Sequence, residues 1–305
     1  MTKESRMEQL ATTIPVRNVQ ALAACCPDEM TAAIIERYIR PDIDHDAVVV
    51  GDSSKVPVVD LSRLLSKEFV QEETSKLMFA CEEWCLFQLL NHGIAEDVIF
   101  NIKRDIQEFF QLPLEAKNAY AQRPGDVQGY GQSFVVSNDQ KLDWADMFAI
   151  MTQPPEARDL KHWPTQPHTF RKSIEEYSSE VGKLAHCIVI FIVLCLKRHG
   201  AWIPVQPRPD AFLVIVGDFL EIMSNGKYKS IEHRVIINPH MERLSVSAFH
   251  NPKLDGVVSP IMGAATNEDV LYKTVSVNEY MKHNLSNKLD GKKALDYAKE
   301  FQIIS

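Results

Sequence analysis

The sequence predicts an α+β protein, a helical amino-terminal part packed on a β-rich carboxyl-terminal core. Three observations carry that prediction: amphipathic helical periodicity through the first two thirds of the chain, a change to proline-punctuated β-branched runs from Trp202 onward, and the absence of internal repeats. At 305 residues, 45% hydrophobic and 24% charged, the chain is long enough to bury a substantial core in one large domain, or one domain with a helical annex. Lys and Arg total 33 against 41 Asp and Glu, so the net charge of −8 argues against general affinity for nucleic-acid phosphates or anionic lipid. Small molecules or proteins are the expected partners.

The elements follow in chain order. The first 26 residues lack the apolar block and cleavage site of a secretory signal, which places the chain in the cytoplasm. The six cysteines, Cys25, Cys26, Cys81, Cys85, Cys187 and Cys195, form no CxxC pair and read as reduced thiols. CLFQLLNHGI, residues 85–94, is an apolar run closed by Asn91, His92 and Gly93, as expected of a buried strand ending in a turn, with His92 a turn residue. In EDVIFNIKRDIQEFFQLP, Val98, Ile102, Ile106, Phe109 and Phe110 recur at helical spacing and Pro113 follows the helix end.

A second helix starts at Thr169, with Phe170, Ile174, Tyr177, Val181 and Leu184 on one face. It then becomes apolar all round, which predicts that it runs into the interior. The run CIVIFIVLCL, residues 187–196, is about half the ~20 residues a bilayer span needs, so no membrane anchor is expected. After it, Pro204, Pro207 and Pro209 mark an extended lead-in to a strand over 212–216 closed by Gly217 and Asp218. Asn225-Gly226 suits a hairpin turn, and HRVII and RLSVSAF supply two more strands separated by Asn238-Pro239. Helices first and antiparallel strands after suggest a helix-flanked jelly roll.

The last two strands carry the chemistry. With a period of two, His233, Val235 and Ile237 share one face, and Arg243, Ser245, Ser247 and Phe249 share one face of the next. Imidazole is a common ligand for redox-active divalent metals, and a guanidinium fork with a nearby hydroxyl clamps a carboxylate. The pair suggests a metal at His233 and an organic acid at Arg243. Each residue alone also has an ordinary structural reading, His233 as a satisfied core or rim histidine and Arg243 as a solvent-facing arginine.

The ordered motifs EEW, NHGI, LPLEAK (112–117), GYGQSFVVSNDQKLDWADMF (129–148), GD, SNGKYKS, HRV, RLS and FHNP resemble the plant 2-oxoglutarate/Fe(II)-dependent dioxygenases, in the branch of alkaloid O-demethylase-like and senescence-related members. The resemblance runs from about Ile14 to the carboxyl terminus. It implies a double-stranded β-helix core of jelly-roll type, Fe(II) and 2-oxoglutarate as cofactors, and hydroxylation or oxidative demethylation of a small-molecule substrate, with 2-oxoglutarate converted to succinate. It also implies that His233 is the second iron-binding histidine and that Arg243 with Ser245 holds the distal carboxylate of 2-oxoglutarate.

The family's first histidine and its carboxylate arrive as His-x-Asp, and here none of the ten histidines has aspartate two positions on. Only His240-Met241-Glu242 has carboxylate spacing, and it follows His233. Relatives pass through several dozen further residues where this chain runs from FIVLCL straight into KRHGAWIPV, at residues 196 and 197. Lys197, Arg198, His199 and Gly200 could end a helix locally, but they cannot restore strands.

The resemblance thus divides the chain into an amino-terminal extension (1–50), a helical and strand region (51–196) and the carboxyl-terminal half of an incomplete jelly roll with its tail (197–305). It implies a broken metal site, no catalytic residue to assign, and no turnover. A non-catalytic carboxylate-binding or interaction protein, and a truncated splice or gene-model product that does not fold stably, are the alternatives. Exposing even five large apolar side chains costs on the order of 7 to 15 kcal/mol, comparable to a domain's whole stability.

Overall fold

The structure, a computed structural model, describes residues 14–26, 29–39, 56–132, 135–192, 205–233, 235, 240–261, 270–286 and 293–299. The 196/197 junction, Cys195, the helix end at 197–200 and Trp202 to Pro204 lie outside them.

Two short helices, α1 (Val19–Ala23) and α2 (Ala32–Tyr38), open the described chain. The first is held at its start by one amide and one carboxylate: Asn18 Oδ1 takes the Ala21 N–H at 2.8 Å, and Asp146 takes those of Val19 and Gln20 at 2.7 and 3.0 Å. These bonds satisfy donors that a helix start leaves unpaired. The Tyr38 ring then meets Trp144 edge-on at 5.0 Å, so the amino-terminal segment is fastened along residues 142–146.

The central strand of the main sheet is β2 (Leu86–Leu90), with parallel β1 (Val58–Asp60) on one side and antiparallel β5 (Phe212–Ile215) on the other. Helices α3 (Leu61–Leu64) and α4 (Val70–Phe79) connect β1 to β2. All but the last residue of β2 is buried, which explains its unbroken apolar run. Asn91 (φ 49°) and Gly93 (φ 75°) turn the chain out of it, and Asn91 ties the turn to Asp60 at 2.7 Å. His92 sits in that turn with its ring edge-on to Phe212 at 4.6 Å, a packing residue as expected.

Against this sheet lie α5 (Glu96–Gln111) and α7 (Phe170–Ile192), with α6 (Leu114–Asn118) starting directly after Pro113. The predicted faces are the buried ones: Ile102, Ile106 and Phe109 on α5, and Phe170, Tyr177, Val181 and Leu184 on α7. The Phe109 ring is fully enclosed, 4.7 Å from that of Phe148 and 5.5 Å from that of Phe170. Phe148 arrives on a small hairpin of β3 (Gly129–Gly131) with β4 (Met147–Ala149).

One expectation about α7 is corrected. As far as Ile192 its apolar end is buried on one face only, Ile188 and Ile192 in the core while Val189 is 41% and Ile190 57% exposed. An apolar face is buried only where a second element covers it, and none covers the other face among the described residues.

A second, smaller core is built from Ile222, Val258, Tyr272, Val275, Val277, Tyr280 and Leu295. It involves α8 (Asp218–Met223), the two-residue strands β6 (Val257–Val258) and β7 (Val275–Ser276), α9 (Val277–Ser286) and α10 (Lys293–Asp296). Here a second expectation is corrected. Asn225 (φ 51°) and Gly226 (φ 74°) do take positive φ, but they end α8 and form no hairpin. Gly226 N–H donates to Glu221 O at 2.8 Å and Asn225 N–H to Ile222 O at 3.0 Å, the paired bonds of a Schellman cap. Asn-Gly supplies left-handed backbone in either setting, so the dipeptide alone does not distinguish them. Gly217 and Asp218 likewise close β5 by starting this helix.

Candidate functional site

The arm that carries the predicted site residues is rooted on α8. Glu221, 4% exposed, accepts the Ser230 N–H and the Tyr272 hydroxyl, each at 2.6 Å, and Lys229 Nζ lies 3.3 Å away. Burial, then the hydrogen bond to Glu221, raises the Tyr272 phenol above its ordinary value and keeps it a donor. Nothing in the sequence flagged Glu221, because its partners lie 8 to 51 residues away at no regular spacing. Ile231 still packs on the main core, and from Glu232 the chain emerges into solvent.

His233 is exposed, its Nδ1 3.4 Å from Ile231 O. Arg243 and Ser245 are exposed as well, on a run from 240 to 252 without regular structure. The expected strands at 233–237 and 243–249 are therefore corrected: none of their described residues is in a strand, and 234, 236 and 237 lie outside the described set. A strand exists only through its ladder, and backbone groups with no neighbour to pair are better satisfied by water. No hydrogen bond or ion pair among the described residues joins His233, Arg243 and Ser245.

Glu242 of this arm acts on the charge of one buried lysine of the body. Lys117, of the LPLEAK motif, is 1% exposed and reaches Gln20 Oε1 and the Phe110 carbonyl, with the Tyr130 ring 5.4 Å away. Burial lowers its pKa, while the carboxylates of Asp146 and Glu242 act to raise it again.

Among the described residues the donor set does not fit a ferrous ion. Such a centre needs two imidazoles and a carboxylate on one face. Among the described residues no group of three His, Cys, Asp or Glu side chains is placed to hold a metal, the His240 and Glu242 pair included.

Comparison with known proteins agrees with the fold and the motifs. Residues 56–166 match the family described as non-haem dioxygenase in morphine synthesis N-terminal, and residues 148–252 match the 2OG-Fe(II) oxygenase superfamily. S-norcoclaurine synthase 1 of Coptis japonica is 37% identical, over 94% of this chain and 97% of its own length. Codeine O-demethylase of Papaver somniferum is 35% identical, over 95% and 97%. The crystal structure of JOX2 in complex with 2OG, Fe and JA superposes with a TM-score of 0.80 at 25% identity, covering 94% of this chain and 99% of that one.

The fold and motifs define a non-haem oxygenase of jelly-roll type. The chain belongs to the plant 2-oxoglutarate/Fe(II)-dependent dioxygenase family, whose members bind Fe(II) and 2-oxoglutarate. It spans its relatives in fewer residues than they use. The match to S-norcoclaurine synthase 1 runs over 345 positions, and 94% of 305 residues is about 287, so roughly 58 positions face no residue of this chain. The 356-position match to codeine O-demethylase, with 95% of the chain or about 290 residues, leaves roughly 66.

Proposed function

We propose that this chain is a 2-oxoglutarate/Fe(II) dioxygenase by descent that does not turn over, its metal site broken and its carboxylate-binding pair Arg243 and Ser245 retained. The observation that carries the reading is the absence of any His-x-Asp from the whole sequence. The roughly 60 unmatched positions support it, being of the size expected for a segment lost between residues 196 and 197. Fe(II) stands low in the affinity order of divalent ions, and one exchangeable imidazole at His233 does not retain it. In the intact ancestor the substrate was a small specialised metabolite, the class to which the names of the alkaloid-acting relatives point.

Succinate release from 2-oxoglutarate in the presence of Fe(II) tests this directly. The native chain is expected to release no more than its His233→Ala variant, and Fe(II)-dependent release above that variant overturns the proposal. A carboxylate-binding role without catalysis is the second reading, favoured by Arg243 and Ser245 standing two residues apart on the exposed arm. It predicts that 2-oxoglutarate without metal raises the melting temperature, and that Arg243→Ala abolishes the rise. Sequencing the transcript across codons 196 and 197 separates a short gene product from an assembly error.

A further inference from the structure

Among the described residues β5 has an open edge and the run 243–249 has no ladder, and we propose that the two pair between two copies of the chain to form a symmetric dimer. The inference rests on the reading that interior strands are missing. The first element is the outer edge of β5. That strand is terminal in the order β1-β2-β5, so one row of its backbone groups faces away from β2, flanked by Leu213 (43% exposed) and Ile215 (37%). The second is the run 243–249, β-prone in composition and without a ladder, which with Met241 exposes Leu244, Val246 and Phe249, the last by 84%. An open edge is a template for strand addition, and an apolar, unladdered run is the kind of segment that adds to it.

A second copy is the occupant because each copy brings both halves of the contact. Within one chain the run is held at its two ends, by Ile231 on the main core and Leu254 on the smaller one, with Ile261 N–H donating to Met223 O at 2.9 Å, and no ladder joins it to β5. If the run of each copy lies on the β5 edge of the other, the exchange closes about a two-fold axis and leaves neither edge open. With side chains alternating, Leu244 and Val246 share one face and can meet Leu213 and Ile215 of the other copy, four apolar side chains per copy. At about 60–120 Å² apiece, eight reach on the order of 500–1,000 Å², the size of a weak, reversible contact. The net charge of −8 on each copy opposes the contact, so salt should tighten it.

Sedimentation velocity of the full chain, across concentration and salt, tests the proposal. A reversible monomer–dimer equilibrium that strengthens with salt is expected. Val246→Lys on the run and Leu213→Lys on the edge should each weaken it at least tenfold, while Phe100→Ser, at an exposed site on α5, should leave it unchanged. All three positions are solvent-facing, so unaltered circular dichroism is expected of the variants. A monomer at every concentration overturns the dimer, as does assembly indifferent to both lysines, or protection of the 243–249 amides already in the monomer. The underlying reading fails separately: Fe(II)-dependent succinate release would overturn it whatever the sedimentation result.

Discussion

Asp105 lies fully enclosed on a helix face that is otherwise apolar, and it binds α5 to α7. Its carboxylate accepts the Ser173 hydroxyl at 2.6 Å, the Thr169 hydroxyl at 2.8 Å and Arg104 Nε at 2.8 Å. Burial pushes this carboxyl up, but the bonds from Ser173, Arg104 and Thr169 outweigh it and hold the group below its ordinary value. A carboxylate depressed in the folded state contributes stability that is complete above the unfolded-chain value of about 3.9 and is lost as pH falls through the lower folded value. Asp105→Ala should therefore cost about 3 kcal/mol at pH 7, and the gap between native and variant should narrow by pH 3, read from urea midpoints at the two values. The sequence did not announce this residue, because its hydroxyl partners sit 64 and 68 positions downstream. The absence of any His-x-Asp, by contrast, can be read without any coordinates.

Among elements, the helices were legible because helical burial repeats every three or four residues within one segment, as Ile102, Ile106 and Phe109 illustrate. β2 was legible for a related reason, an apolar run bounded by Asn91 and Gly93. The run 243–249 has the residues of a strand but no ladder. Its alternation names the face that would be buried, whereas the neighbour it needs is a property of other segments. In dilute solution, where monomer prevails, the amides of 243–249 should exchange within seconds while those of β2, α5 and α7 remain protected by orders of magnitude. Hydrogen exchange followed by mass spectrometry reads this directly, and slow exchange throughout 243–249 would mean that the run has found a partner within its own chain.

At the scale of the whole molecule, no helix among the described residues is long and apolar enough to cross a membrane. What organises the chain is its division into two hydrophobic clusters joined through α8, whose Leu220 packs on the larger and Ile222 in the smaller. Each cluster is closed largely by residues on one side of the arm that carries His233 and Arg243. The smaller one gathers Ile222, Tyr272 and Tyr280, with the Tyr280 hydroxyl donating to Asp218 at 2.8 Å.

That division sets how the molecule should come apart. A calorimetric scan should resolve two heat-absorption waves in place of one, and Asp105→Ala should move only the wave belonging to the larger cluster. A chain so divided holds two nuclei, each able to collapse without waiting for the other.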